Sequence, residues 1–153
     1  MNVLVLNGPN MNLLGEREPA IYGSLSLSGL EAAVRTRAEE HRICVRFVQS
    51  NHEGILIDTL HEARGWADAI LFNPGAYTHY AWALRDAVAA IHPPVYEVHL
   101  SDTAAREAWR RVSVLEDVRA GLYAGRGVDS YLDALEAARA TRASIGDPST
   151  SSG

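Results

Sequence analysis

The sequence predicts an α/β fold, a doubly wound domain whose five-stranded parallel sheet carries helices on both faces. Apolar runs of strand length recur five times, and the stretches between them have helical spacing. No internal repeat or linker interrupts the alternation, so residues 1–145 read as one domain and 146–153 as a disordered polar tail.

The first strand is NVLVL, and ICVRFVQ (43–49), DAILFN (68–73), PVYEVHL (94–100) and the weaker AGLYA (120–124) follow it. A first helix is expected from about Ser28, where Ser28-Gly29-Leu30-Glu31 has the S-x-x-E capping-box pattern and Leu30, Val34 and Ala38 share a face. A second spans Gly54 to Arg64, with Gly65 as its stop. A third covers Thr78 to Ile91 before the Pro93-Pro94 break, a short fourth Ala104 to Arg111, and a fifth Val128 to about Arg142. Strand–helix alternation implies right-handed βαβ units, and five strands suit a flavodoxin-like three-layer sandwich.

The 153 residues are enough for one substantial core, and the formal charge of −5 argues against a nucleic-acid surface. Local arginines can still bind small anions. The single Cys44 lies in an apolar run and reads as a small buried hydrophobe, which fits a reducing, cytoplasmic setting. No charged start leads into an apolar run and no long apolar span occurs, so neither secretion nor a membrane partner is supported.

Doubly wound sheets bind ligands outside the carboxyl ends of their strands. Asn7, Asn10, Asn12, Arg17 and Tyr22 follow the first strand, within the long loop NGPNMNLLGEREPAIYG. Gln49, Ser50 and Asn51 follow the second, Asn73-Pro74-Gly75-Ala76-Tyr77-Thr78-His79 the third, and Glu97-Val98-His99-Leu100-Ser101 closes the fourth. Four consecutive polar strand ends predict a binding site.

Absent motifs narrow the chemistry. There is no P-loop, no zincin H-E-x-x-H and no nucleophile elbow. Gly125-Arg126-Gly127 starts like a dinucleotide fingerprint, but Ser130 stands where the third glycine belongs. Arg126 reads as solvated surface rather than an added anion contact, and His41, His61 and His92 as surface or structural histidines. No cofactor or metal is called for, which leaves acid–base work by His and Tyr. Glu97 and His99 are two apart on a strand and share a face, so the carboxylate can orient the imidazole. The bland alternative is a histidine that bonds only locally at a strand end. Tyr22 is either a half-buried anchor or a base whose phenolate Arg17 favours.

The motifs N-G-P-N-x-N-x-L-G-x-R-E-P-x-x-Y-G, Q-S-N-x-E-G, N-P-G-A-Y-T-H, A-L-R-D-A and E-V-H-x-S occur in order from about residue 3 to Gly127. Together they resemble type II 3-dehydroquinase (3-dehydroquinate dehydratase). The resemblance implies cofactor-free dehydration of 3-dehydroquinate to 3-dehydroshikimate in the shikimate pathway, by a homododecamer of four trimers. It implies Tyr22 as the base at C2, Arg17 as the lid residue that lowers the tyrosine's pKa, and Asn10 as holder of a water that stabilises the enolate. His99 would protonate the departing C1 hydroxyl and Glu97 would orient it. Asn73, Gly75, His79 and Arg110 match substrate contacts, and Leu100 and Ser101 the carboxylate site. Asp86 would reach a neighbouring subunit's site, and Arg106 would support or gate.

The chain departs from the family where His-Ser-Tyr is common and Val112-Ser113-Val114 stands, in Gly121 to Tyr131, and at Tyr80-Ala81-Trp82. None of these replaces the expected acid, base or lid arginine. A non-catalytic relative would have lost one of those three residues. A quinate-catabolic relative would share the chemistry.

Overall fold

A computed structural model describes residues 1–16, 18, 20 and 24–145. Strands β1 (Asn2–Asn7), β2 (Cys44–Gln49), β3 (Ala69–Asn73), β4 (Val95–His99) and β5 (Gly121–Ala124) pair in parallel in the order β2-β1-β3-β4-β5. That is the flavodoxin-like order, with its switch point between β1 and β3. Helices α1 (Leu27–Glu40) and α4 (Val128–Ser144) pack on one face, α2 (Glu53–Ala63) and α3 (Trp82–Ala90) on the other.

Period-two alternation divides the core between the faces. Val3, Val5, Leu71 and Val98 meet Leu30, Val34, Tyr131 and Leu135, while Leu4, Leu6, Ile70 and Phe72 meet Leu56, Leu60, Leu84 and Val88. The three inner strands β1, β3 and β4 are buried on both faces because helices cover both, while the edge strands β2 and β5 are only partly buried. No described helix is long and apolar enough to cross a membrane.

Four expectations change at this level. The cap of α1 is Ser26, whose Oγ accepts the Gly29 N–H at 3.1 Å, so Ser28 lies inside the helix and the capping-box reading is two residues late. The expected helix from Thr78 to Ile91 is broken into a 3-10 turn (Gly75–His79) and α3. The Thr78 carbonyl, which a continuous helix would bond to Trp82, instead accepts the Val114 N–H at 2.7 Å. The expected fourth helix is two 3-10 turns, Thr103–Ala105 and Ala108–Arg111, separated by extended backbone at Arg106. Cys44 is exposed rather than buried, because it is the first residue of β2, an edge strand whose opening residues alternate between exposed and half-buried.

The switch point is tight. The Gly8 N–H donates to the Asn73 carbonyl at 2.7 Å, and a Cβ on Gly8 would lie 2.7 Å from the carbonyl carbon and oxygen of Pro74. Gly8→Ala must therefore push the two strand ends apart, at a cost of about 1–3 kcal/mol, typical of overpacking. Urea denaturation checks this, and a midpoint equal to wild type would refute the tight approach.

Candidate active site

A cavity of about 150 Å³ opens at the carboxyl ends of β1, β3 and β4. Asn10 and Met11 line it from β1, Asn73, Gly75 and His79 from β3, and His99, Leu100 and Ser101 from β4. Arg106 and Arg110 close one side. Asn10 has left-handed backbone (φ 68°), and its N–H donates to Asn51 Oδ1 at 2.9 Å. Gln49 donates to the Gly8 carbonyl and to Asn51 at 3.1 Å each. The residues after β2 thus brace the β1 loop and do not line the cavity.

Glu97 is 1 % exposed and His99 6 %. The His99 Nε2 lies 2.6 Å from Glu97 Oε2. An ionised carboxylate only accepts, so Nε2 carries the hydrogen and Nδ1 is the nitrogen left for a ligand. Thr78 Oγ1 donates to the same oxygen at 2.7 Å. Ser113 Oγ at 2.6 Å and Arg119 Nη1 at 2.9 Å donate to Oε1. Each hydroxyl has one hydrogen and gives it to Glu97, so the 3.1 Å approach of Thr78 to Ser113 is contact without a shared proton. Burial pushes the Glu97 carboxyl up, but the bond and charge of His99 and the two hydroxyls outweigh it and hold it at about 2.

His79 donates Nδ1–H to the Val112 carbonyl at 2.6 Å and stands edge-on to Trp109. Burial pushes its pKa down against that bond, so at neutral pH the ring is neutral and Nε2 can accept a hydroxyl hydrogen. Arg110 lies 4.1 Å over the Trp109 ring and donates to Glu107 at 2.7 Å, which fixes it at the rim. Arg106 pairs with Glu18 at 3.5 Å. The Leu100 carbonyl accepts the Gly127 N–H at 3.0 Å and ties this wall to the start of α4. Asp86 is 77 % exposed, bonded to Arg85 and away from the chain's own cavity. Arg126 is exposed and pairs with Asp129 and Asp133. Tyr22 and Arg17 lie outside the described residues.

Sequence reasoning gave no role to four residues that shape this site. Thr78, Ser113 and Arg119 saturate Glu97. Tyr131 donates to Asn7 Oδ1 at 2.6 Å and accepts from Asn73 Nδ2 at 2.9 Å, while Asn73 Oδ1 accepts the Gly75 N–H at 3.0 Å. Burial pushes the Tyr131 phenol upward, so it remains a neutral relay that orients Asn73. Thr78 had a signal in the quoted N-P-G-A-Y-T-H, Ser113 and Tyr131 stand in segments read only as departures from the family, and Arg119 had none.

A doubly wound sheet with a buried carboxylate–histidine pair and a fixed asparagine amide at a strand-end cavity defines an enzyme site for proton transfer on a small polar molecule. The chain belongs to the class II dehydroquinase family, whose sequence profile matches residues 1–139, and is thus a hydro-lyase. It is 51 % identical over 140 residues to a 3-dehydroquinate dehydratase of Pelotomaculum thermopropionicum, covering 92 % of this chain and 97 % of that one. A catabolic 3-dehydroquinase of Verticillium alfalfae is 46 % identical over 134 residues, 88 % of this chain and 89 % of that one. The crystal structure of a type II dehydroquinase from Butyrivibrio crossotus superposes with a TM-score of 0.89 at 42 % identity, covering 91 % and 97 % of the two chains.

The Glu97 carboxyl predicts a pH dependence of stability. Its pKa falls from an ordinary 4.5 to about 2 on folding, so its contribution is present above pH 4.5 and is lost as pH falls toward 2. The shift corresponds to on the order of 3 kcal/mol. Between pH 6 and pH 2, wild type should lose that much more stability than Glu97→Gln. Urea unfolding at matched protein concentration measures the difference, and parallel curves would contradict it.

Proposed function

We propose that this chain dehydrates 3-dehydroquinate to 3-dehydroshikimate in the shikimate pathway, by stepwise anti elimination through an enolate. Tyr22 takes the proton from C2, alpha to the ketone, and Arg17 favours its phenolate and closes over the substrate. Asn10 and the neighbouring backbone hold a water against the enolate oxygen. Donors placed where negative charge develops give the largest gain in such a step. His99 then delivers a proton to the C1 hydroxyl, which leaves as water, while Glu97 fixes the imidazole. Asn73, His79 and Arg110 hold the substrate hydroxyls, Gly75 lines the substrate site beside them, and Leu100 and Ser101 hold its carboxylate. Base and acid each contribute roughly 100-fold to 10,000-fold.

The observation that carries this reading is the His99–Glu97 pair at the cavity wall, with Nε2 bonded to the carboxylate at 2.6 Å. The site residues all fall within the segment that matches the family. We further place the enzyme in the cytoplasm, as a homododecamer of trimers in which Asp86 reaches a neighbour's cavity. The exposure of Asp86, away from its own cavity, supports that role. Quinate breakdown would use the same chemistry, and the likeness to a catabolic enzyme favours keeping it as the second reading.

The test is turnover of 3-dehydroquinate followed by the ultraviolet absorbance of the enone product, with a chelator present. Wild type should turn over, and Tyr22→Phe and His99→Ala should each fall by roughly 100-fold or more. Binding of 3-dehydroquinate without enone formation by folded wild type would overturn the catalytic reading.

A further inference from the structure

Glu97 has a cationic partner besides His99. Arg119 stands in the segment before β5 with its side chain 16 % exposed, and its Nη1 lies 2.9 Å from Glu97 Oε1. The two oxygens are divided, Oε2 to Thr78 and His99, Oε1 to Ser113 and Arg119. Among the described residues Arg119 is the one arginine bonded to this carboxylate.

We propose that Arg119 is a positioning residue for the acid, which shares Glu97 with His99 and so limits how firmly the imidazolium keeps its proton. The proposal rests on His99 being the acid. A buried carboxylate facing a histidine alone would hold the imidazolium tightly, because like and unlike charges act strongly where water is excluded. Such an ion pair orients the ring but releases its proton poorly. With Arg119 on the far oxygen, the three groups sum to zero charge when His99 is neutral and to +1 when it is protonated. Without Arg119 they sum to −1 and zero, and protonation is favoured. The planar guanidinium and the Ser113 hydroxyl also hold Oε1 in place, which keeps Oε2 directed at Nε2.

Other charged or titratable groups face His99 among the described residues. His79 lines the same cavity, Arg106 and Arg110 come from the turns after β4, and Arg111 and Glu116 line the smaller space beside the pair. None of them bonds to Glu97.

The test compares kcat and KM for 3-dehydroquinate across pH in wild type, Arg119→Gln and Arg119→Lys, with His99→Ala as control. Glutamine keeps an N–H donor and loses the charge, and lysine keeps the charge. In Arg119→Gln the alkaline limb of the kcat profile should move up by about one pH unit, with KM little changed, as one fewer cation near the pair implies. Arg119→Lys should restore the wild-type limb. Coincident limbs in all three proteins, or a limb that lysine fails to restore, overturn the proposal. Should Arg119→Gln not fold, Arg119→Met replaces it. Should neither fold, the role is structural and the proposal fails. Full activity in His99→Ala would instead overturn the reading of His99 as the acid.

Discussion

A carboxylate buried at a strand end is the constraint on which the site depends. Removing an ion from water costs several kcal/mol even after the protein relaxes. Glu97 is stable there because Thr78, Ser113, His99 and Arg119 occupy both of its oxygens. These donors come from three places in the chain: the turn after β3, the end of β4, and the segment that leads to β5. The carboxylate thus organises the loops as well as the histidine. The same bonds account for the broken helix after β3, since Thr78 faces Glu97 while its carbonyl bonds to Val114.

The sheet supplies the rest of the geometry. The order β2-β1-β3-β4-β5 puts β1 beside β3 at the switch point, and the cavity opens beyond the ends of β1, β3 and β4. The side-chain amide of Asn73 is held between Tyr131 and Gly75, and the backbone of Asn10 is held by Asn51, so these groups from two strand ends are set by neighbours rather than by the ligand. Such preset groups need little reorganisation when charge develops.

The fold was legible because strand alternation and helical spacing are strong local signals. So was the Glu97–His99 pair, which needs only the period-two rule on one strand. The partners of Glu97 were not, because Ser113 and Arg119 lie in a segment without periodicity and reach the site only through the path of the chain around β4 and β5. Cys44 was misjudged for a related reason: an apolar run signals a strand but does not say which strand ends up at the edge. The cap of α1 was missed by two residues because Ser26 and Ser28 both suit the role, and backbone geometry decides between them. Arg17 and Tyr22 were read from the sequence and lie outside the described residues.

The central claim is that an ionised Glu97 holds the Nε2–H of His99 and leaves Nδ1 for the substrate. The most direct measurement is the 15N NMR spectrum of the His99 ring at a pH where the imidazole is neutral. The account predicts a protonated Nε2 and a bare Nδ1. A spectrum showing Nδ1–H with a bare Nε2 would contradict it.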